Sequence, residues 1–314
     1  MRLVMTLVVR DEVDIVDAQL AYHLAAGVDF VLATDHGSTD GTLDVLRRYE
    51  REGRLRLFGV SGEMRESEWR THMARLAATE HGADWVINTD ADEFWLPRAA
   101  TLKESLGAVP SEIGVVWALT CHFVPRPDDR RSFAERMTAR FAPQAALNDP
   151  TSPYRPHAKA AHRADPDIVV WFGSHRVTTG LRALPGWHPA DVFHFPFRTL
   201  AQYERKSSRR ARGDRPLGQY VRGLQARERG RLEDVYGSLV VSDESVARGI
   251  AEGSLVEDTR LRDALRGLPP ARERSDQRFA LDEASLRDAD LVRVVRRLDG
   301  VRLRVDDLER QARS

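Results

Sequence analysis

Ala83-Asp84-Trp85-Val86-Ile87-Asn88-Thr89-Asp90-Ala91-Asp92-Glu93-Phe94-Trp95 is the stretch on which the reading of this 314-residue chain turns. Trp85, Val86 and Ile87 make a short apolar run of strand type, and two aspartates one residue apart stand just past its end. Open α/β sheets bind ligands at the carboxyl ends of their strands, so the position carries more weight than the pair itself. The same spacing recurs in Asp165-Pro166-Asp167 and Asp288-Ala289-Asp290. The first of these precedes a strand, and the second lies near a charged C-terminal helix. Only Asp90 and Asp92 follow an apolar strand. Two carboxylates there suit Mg2+ or Mn2+ bridged to a diphosphate, because hard divalent cations prefer oxygen ligands. The structural alternative is an acidic loop that caps the next helix.

Working outward, two periodicities alternate over the first 120 residues. Strand-type runs at residues 3–9, 30–33, 55–60, 85–87 and 115–119 are separated by helical spacing at Val13, Val16, Leu20 and Leu24, at Leu43, Leu46 and Tyr49, and over residues 69–81. Alternation of this kind predicts parallel strands joined by helical crossovers, hence a Rossmann-like α/β/α sandwich with a mostly parallel central sheet. No Gly-x-Gly-x-x-Gly follows the first strand, so a dinucleotide-binding fold loses its main support.

Asp35-His36-Gly37-Ser38-Thr39-Asp40-Gly41-Thr42 follows the second strand. Gly37 permits a tight turn, and Ser38, Thr39 or Asp40 can cap the next helix, which is enough to explain much of the segment. The functional reading gives Asp35 a ribose or base contact, since acidic residues at such strand ends bind sugar hydroxyls.

Together these pieces resemble the family 2 type of GT-A glycosyltransferases, in the branch with an Asp-x-Asp-Glu-Phe motif. The likeness rests on Val8-Val9-Arg10-Asp11-Glu12, on Ala21-Tyr22-His23-Leu24-Ala25-Ala26-Gly27-Val28-Asp29, on residues 35–42 and on residues 85–94, in that order. It covers roughly residues 1–100 and is fainter at Lys159, at Gly173-Ser174-His175, and from His194-Phe195-Pro196-Phe197-Arg198 to Lys206. Beyond about residue 215 there is none.

The resemblance implies a GT-A fold, a nucleotide-diphospho-sugar donor, Mn2+ or Mg2+, and transfer to a hydroxyl of a saccharide, lipid-linked or other acceptor, with inversion. Val9, Arg10 and Glu12 would line the nucleotide site and Asp35 would contact the nucleoside. Asp90 and Asp92 would hold metal and diphosphate. His194 would be a third metal ligand, its alternative being a strand-end histidine packed among Phe193, Phe195 and Phe197. For the catalytic base, Glu93, His175 and Asp191 are candidates, with His175 and Glu93 preferred.

Elsewhere composition sets the limits. Residues 201–231 hold ten Arg or Lys against three acids, although the whole chain balances 48 basic with 48 acidic residues. Lys206 and Arg209 are expected at donor phosphates; the rest of the stretch meets solvent or anionic lipid, which would make the contact with membrane peripheral. The overall balance excludes a uniformly basic nucleic-acid binder. Cys121 is the only cysteine, so no intrachain disulfide or multi-cysteine zinc site exists, and with no run near ~20 apolar residues the expected location is cytoplasmic, with membrane association open. Residues 1–230 are expected to form the catalytic domain and 231–270 a helical extension. Residues 271–314 would be a linker and terminal helix, whose seam of Leu291, Val294, Leu298, Val301, Val305 and Leu308 packs on its own domain or pairs two copies. The competing functions are a non-catalytic scaffold on the same fold and a nucleotidyltransferase.

Overall fold

The computed structural model describes residues 1–142, 157–210 and 218–269. The chain enters on β1 (Leu3–Val9), and α1 (Val16–Ala25) returns it to β2 (Phe30–Asp35). The unit repeats through α2 (Thr42–Arg51), β3 (Leu55–Gly59), α3 (Glu66–Thr79) and β4 (Trp85–Asp90). These four strands run parallel in the order β3-β2-β1-β4. Here the alternating pattern and the observed elements agree.

Beyond Asp90 the chain doubles back in β5 (Glu93–Pro97). It continues through α4 (Leu102–Gly107), β6 (Val115–His122), α5 (Phe133–Arg136) and β7 (Ala139–Phe141). Thr101 and Glu104 form a reciprocal capping box that starts α4. β8 (Ala158–Arg163) enters the sheet between β4 and β6, antiparallel to both. β9 (Val169–Val170) and β10 (Val177–Thr178) form a small hairpin around a 3-10 turn at Phe172–Ser174. β11 (Ala190–His194) lies parallel to β6 and antiparallel to β5. The central sheet therefore reads β3-β2-β1-β4-β8-β6-β11-β5, with only β5 and β8 reversed. α6 (Leu200–Arg210), α7 (Gly218–Glu228), α8 (Leu232–Gly237), α9 (Asp243–Ala251), β12 (Leu255–Glu257) and α10 (Arg260–Arg266) follow.

Both faces of the sheet are covered, which is why its central strands are apolar throughout. Leu3, Met5, Leu7 and Val9 meet Val16, Leu20, Leu46, Leu102 and Leu106 from α1, α2 and α4. Val4 and Val8 point the other way, toward Met73, Ala74 and Ala77 of α3. Three layers result, as the sequence pattern predicts.

The described residues belong to one compact unit, residues 1–270. The expected division at 230/231 falls inside this unit: β12 pairs with β7, and Leu261 of α10 is buried in the main core. Residues 231–269 carry helices that follow the sheet, with β12 and α10 packed on the preceding residues. The seam within 271–314, residues 143–156, and Arg212 and Arg215 of the basic stretch lie outside the described residues. No helix among the described residues is long and apolar enough to cross a membrane.

Candidate active site

The carboxyl ends of β1 and β2 are joined by their loops. Asp11 Oδ1 accepts from the Thr39 amide at 2.6 Å, Ser38 Oγ accepts from the Asp11 amide at 2.9 Å, and Thr42 Oγ1 accepts from the Glu12 amide at 2.8 Å. Gly37 (φ 65°) makes the turn, Gly41 is the N-cap of α2, and Asp40 just before it accepts from the Thr42 amide at 3.0 Å. Val9 and Asp35 are register partners, and Arg10 Nη1 reaches His36 Nδ1 at 3.5 Å. Asp35 is buried. Its Oδ2 accepts from the Ser38 amide at 3.0 Å, while Oδ1 has no partner among the described residues.

Asp92 lies in the two-residue turn between β4 and β5 and is buried. Lys206 on α6 sends its ammonium between two acids, 2.6 Å from Asp92 Oδ2 and 2.8 Å from Glu12 Oε1. Arg198, fully buried, pairs with Glu12, stands 2.7 Å from Asp14 Oδ2 and approaches Asp92 Oδ2 at 3.9 Å. His194 Nε2 faces the same Asp92 oxygen at 3.6 Å. Burial alone would raise the Asp92 pKa, but Lys206, His194 and Arg198 hold it well below the usual carboxylate range. For Lys206 the same attraction outweighs burial and raises the ammonium pKa.

A second ion-paired group stands beside the first. Asp90 Oδ1 is held by the buried Arg70 and its Oδ2 by Lys159 at 3.2 Å. Lys159 is also 2.7 Å from Glu93 Oε1, and both side chains are buried. Arg70 further donates to Glu66 Oε1 at 3.0 Å and to the Thr89 carbonyl at 2.9 Å. Burial, reinforced by Asp90 and Asp92, raises the Glu93 pKa against the pull of Lys159.

Of the residues singled out in the sequence, Glu12, Asp92, His194 and Lys206 come together directly, with Asp90 and Glu93 adjoining through Lys159. Val9, Arg10 and Asp35 occupy the neighbouring strand ends. His175 is exposed and outside both ion-paired groups. Its Nδ1 lies 3.0 Å from the Ala158 carbonyl, and its ring is 5.0 Å from that of His157. Desolvation by this packing and the nearby Lys159 push its pKa down to about 4. Asp191 sits three residues before His194, toward the opposite edge of the sheet, and is tied to Arg98 at 2.7 Å. The basic stretch is not one face: Lys206 points into the site, while Arg227 and Arg231 pair with Glu204 and Asp234.

Three participants were not among the residues singled out, Asp14, Arg70 and His122, and Arg198 was named only within the likeness at residues 194–198, without a role. Arg70 had a legible signal, since it falls on the buried face of α3 with Met73, Ala74 and Ala77. His122 Nδ1 lies 2.9 Å from His194 Nδ1, a contact made by strand pairing that no local pattern announces.

As a metal site, the donor set fits through Asp92 and His194. Their facing atoms are close to the roughly 3 Å that separates neighbouring ligands around Mg2+ or Mn2+. Among the described residues no group of three His, Cys, Asp or Glu side chains could hold an ion unaided. A two-ligand protein site is still consistent with such ions, whose shells are completed by substrate phosphate and water. Asp90 fits less well, because cations already occupy both of its oxygens.

Residues 6–113 match the glycosyltransferase family 92 model. No curated protein matches the chain. Among solved structures, residues 1–349 of Staphylococcus aureus TarS in complex with UDP align at 15% identity and TM-score 0.35, over 78% of this chain and 76% of that one. A longer S. aureus TarS structure aligns at 13% identity and TM-score 0.35, over 74% of this chain, which spans 44% of that protein's length. Glucosyl-3-phosphoglycerate synthase from Mycobacterium tuberculosis, in complex with phosphoglyceric acid, aligns at 19% identity and TM-score 0.27, over 40% of this chain and 45% of that one.

Proposed function

We propose that this chain is a GT-A glycosyltransferase. It would move a sugar from a nucleotide-diphospho-sugar to an acceptor hydroxyl, with inversion and with Mn2+ or Mg2+ at Asp92 and His194. The observation that carries the reading is Asp92 itself, buried at the carboxyl edge of a mostly parallel sheet between a lysine and a histidine. The family 92 match over residues 6–113 supports the same class of reaction.

The ion, when bound, neutralises charge developing on the departing diphosphate. The chain's own residues do the remainder. Asp35 offers its unpartnered Oδ1 to a nucleoside hydroxyl or ring N–H. The joined β1 and β2 loops hold that carboxylate in place, and Arg198 fixes Glu12 and Asp14 at the wall beside it. Lys206 presents an ammonium to the phosphates. His175 suits the base role better than Glu93: its imidazole is neutral at physiological pH, whereas Glu93 is buried against Lys159.

The test is donor binding and slow donor hydrolysis with UDP-, GDP- and dTDP-sugars, with and without Mn2+. Wild type should bind at least one donor in a metal-dependent manner, and Asp92→Ala should not. No binding to any donor in either condition would sink the proposal.

A further inference from the structure

Asp92 Oδ2 is claimed twice. It is the oxygen that faces His194 Nε2 at 3.6 Å, and also the oxygen that Lys206 holds at 2.6 Å. An ion that takes this oxygen as a ligand must therefore share it with an ammonium or displace the ammonium. Lys206 has a second anchor, Glu12 Oε1 at 2.8 Å, and Glu12 belongs to the loop after β1 on the nucleotide side. One flexible side chain thus spans the ends of β1 and β4, between the place expected for the nucleotide and the place expected for the ion.

Charge decides what this does to binding. Glu12, Asp14 and Asp92 carry three negative charges, and Arg198 and Lys206 two positive ones, so the contact group nets −1. A divalent cation alone would make it +1, with the ion forced against an ammonium in a buried setting. A diphosphate alone, bearing at least two negative charges, would make it −3 or lower. The two together return it to about −1, and the phosphate gives Lys206 a new acceptor when it leaves Asp92.

Resting on the proposed function, we infer that Lys206 makes divalent-ion binding and diphosphate binding mutually dependent. In the resting protein it is the internal counter-ion of Asp92; when a donor arrives it moves to the phosphate and releases the oxygen for the ion. Each ligand then strengthens the other by the same factor, as linkage requires. Lys206 in this role regulates occupancy of the site, in addition to contacting phosphate.

The experiment is a Mn2+ titration of the full chain, followed by the loss of the free-ion electron paramagnetic resonance signal, alone and with saturating UDP, GDP or dTDP. For wild type, Mn2+ should bind at least about fivefold tighter in the presence of the nucleotide that the protein accepts. In Lys206→Met, Mn2+ alone should bind more tightly than to wild type, and the gain from nucleotide should shrink toward unity. Lys206→Arg should keep most of the gain. A merely structural lysine would lower both affinities on removal and leave their ratio alone. The inference is overturned if wild type binds Mn2+ equally well with and without nucleotide, or binds nucleotide but no Mn2+. An unchanged ratio in a folded Lys206→Met overturns it too, and Lys206→Gln takes its place should that variant fail to fold. Absence of both Mn2+ and nucleotide binding in wild type would instead remove the transferase reading, and this inference with it.

Discussion

His122 Nδ1 and His194 Nδ1 lie 2.9 Å apart at the register-paired ends of β6 and β11. Two imidazole nitrogens at that distance share one proton, so one ring donates and the other accepts. The other nitrogen of His194 faces Asp92, and binding an ion there requires its lone pair. His194 must then carry its proton on Nδ1 and donate it to His122. If His194 is a ligand as proposed, His122 would orient its ring and select its tautomer, as partners of metal-bound histidines do. His122→Ala should weaken Mn2+ binding by roughly 10- to 100-fold, measured with nucleotide present. Unchanged Mn2+ affinity would show that His194 needs no such partner, or is not a ligand.

Loss of Arg70 should harm the fold. Its guanidinium has no solvent exposure and serves Glu66, the Thr89 carbonyl and Asp90 at once. Removing one member of a buried ion pair leaves the other charge uncompensated, at a cost of about 3–5 kcal/mol. Arg70→Ala should lower the urea midpoint accordingly. Arg70→Lys should recover only part, because a single ammonium cannot reproduce the planar fork. A loss below about 1 kcal/mol in Arg70→Ala would mean that water reaches these carboxylates.

His122 also marks where the sequence ceases to be legible. The first four strands were readable because each is an apolar run and helical periodicity separates one from the next, and Asp90 and Asp92 because they follow the last of these runs. β8 was not, since Ala158-Lys159-Ala160-Ala161-His162-Arg163 has no β-branched or aromatic residue and takes its place only through pairing on both sides. β5 was hidden inside the motif itself, where Glu93 to Pro97 reads as a continuation of the acidic turn. At the site, Lys206 and His194 were found through a resemblance. Which acid each would meet depended on α6 and β11 packing beside β4, a tertiary fact.

Gly173 tests the role of His175 independently of the metal. Gly173 has φ 67°, and a Cβ there would lie 2.7 Å from His175 Nε2 and 2.8 Å from its Cδ2. Gly173→Ala therefore adds backbone strain of about 1–2 kcal/mol and pushes the ring off its hydrogen bond to Ala158. If His175 is the base, kcat should fall in Gly173→Ala and in His175→Ala while donor Kd holds steady. Full kcat in His175→Ala would return the base role to another group.

Stability should fall as the solution is acidified well before the carboxylates titrate. His23 is fully buried with both ring nitrogens engaged: Nδ1 with the Gln19 carbonyl at 2.8 Å, and Nε2 accepting from the Trp95 amide at 3.0 Å. Protonating Nε2 would destroy the second bond. His162, also fully buried, sets Nδ1 2.9 Å from the Arg163 carbonyl, and its Nε2 has no partner among the described residues to receive a proton's charge. Burial lowers both pKa values from 6.5 to about 4. Between those values the unfolded chain takes up protons that the folded chain refuses, so stability is full above about pH 6.5 and declines toward pH 4. Each group contributes at most about 1.4 kcal/mol per pH unit in that window, so urea unfolding at pH 7.5, 6 and 5 should show a steady loss on the order of a few kcal/mol. The imidazole signals of His23 and His162 should stay fixed between pH 8 and 5. If those two signals move with a midpoint near 6.5, water or a rearranged partner is accommodating the charge, and the acid-labile step must be sought elsewhere.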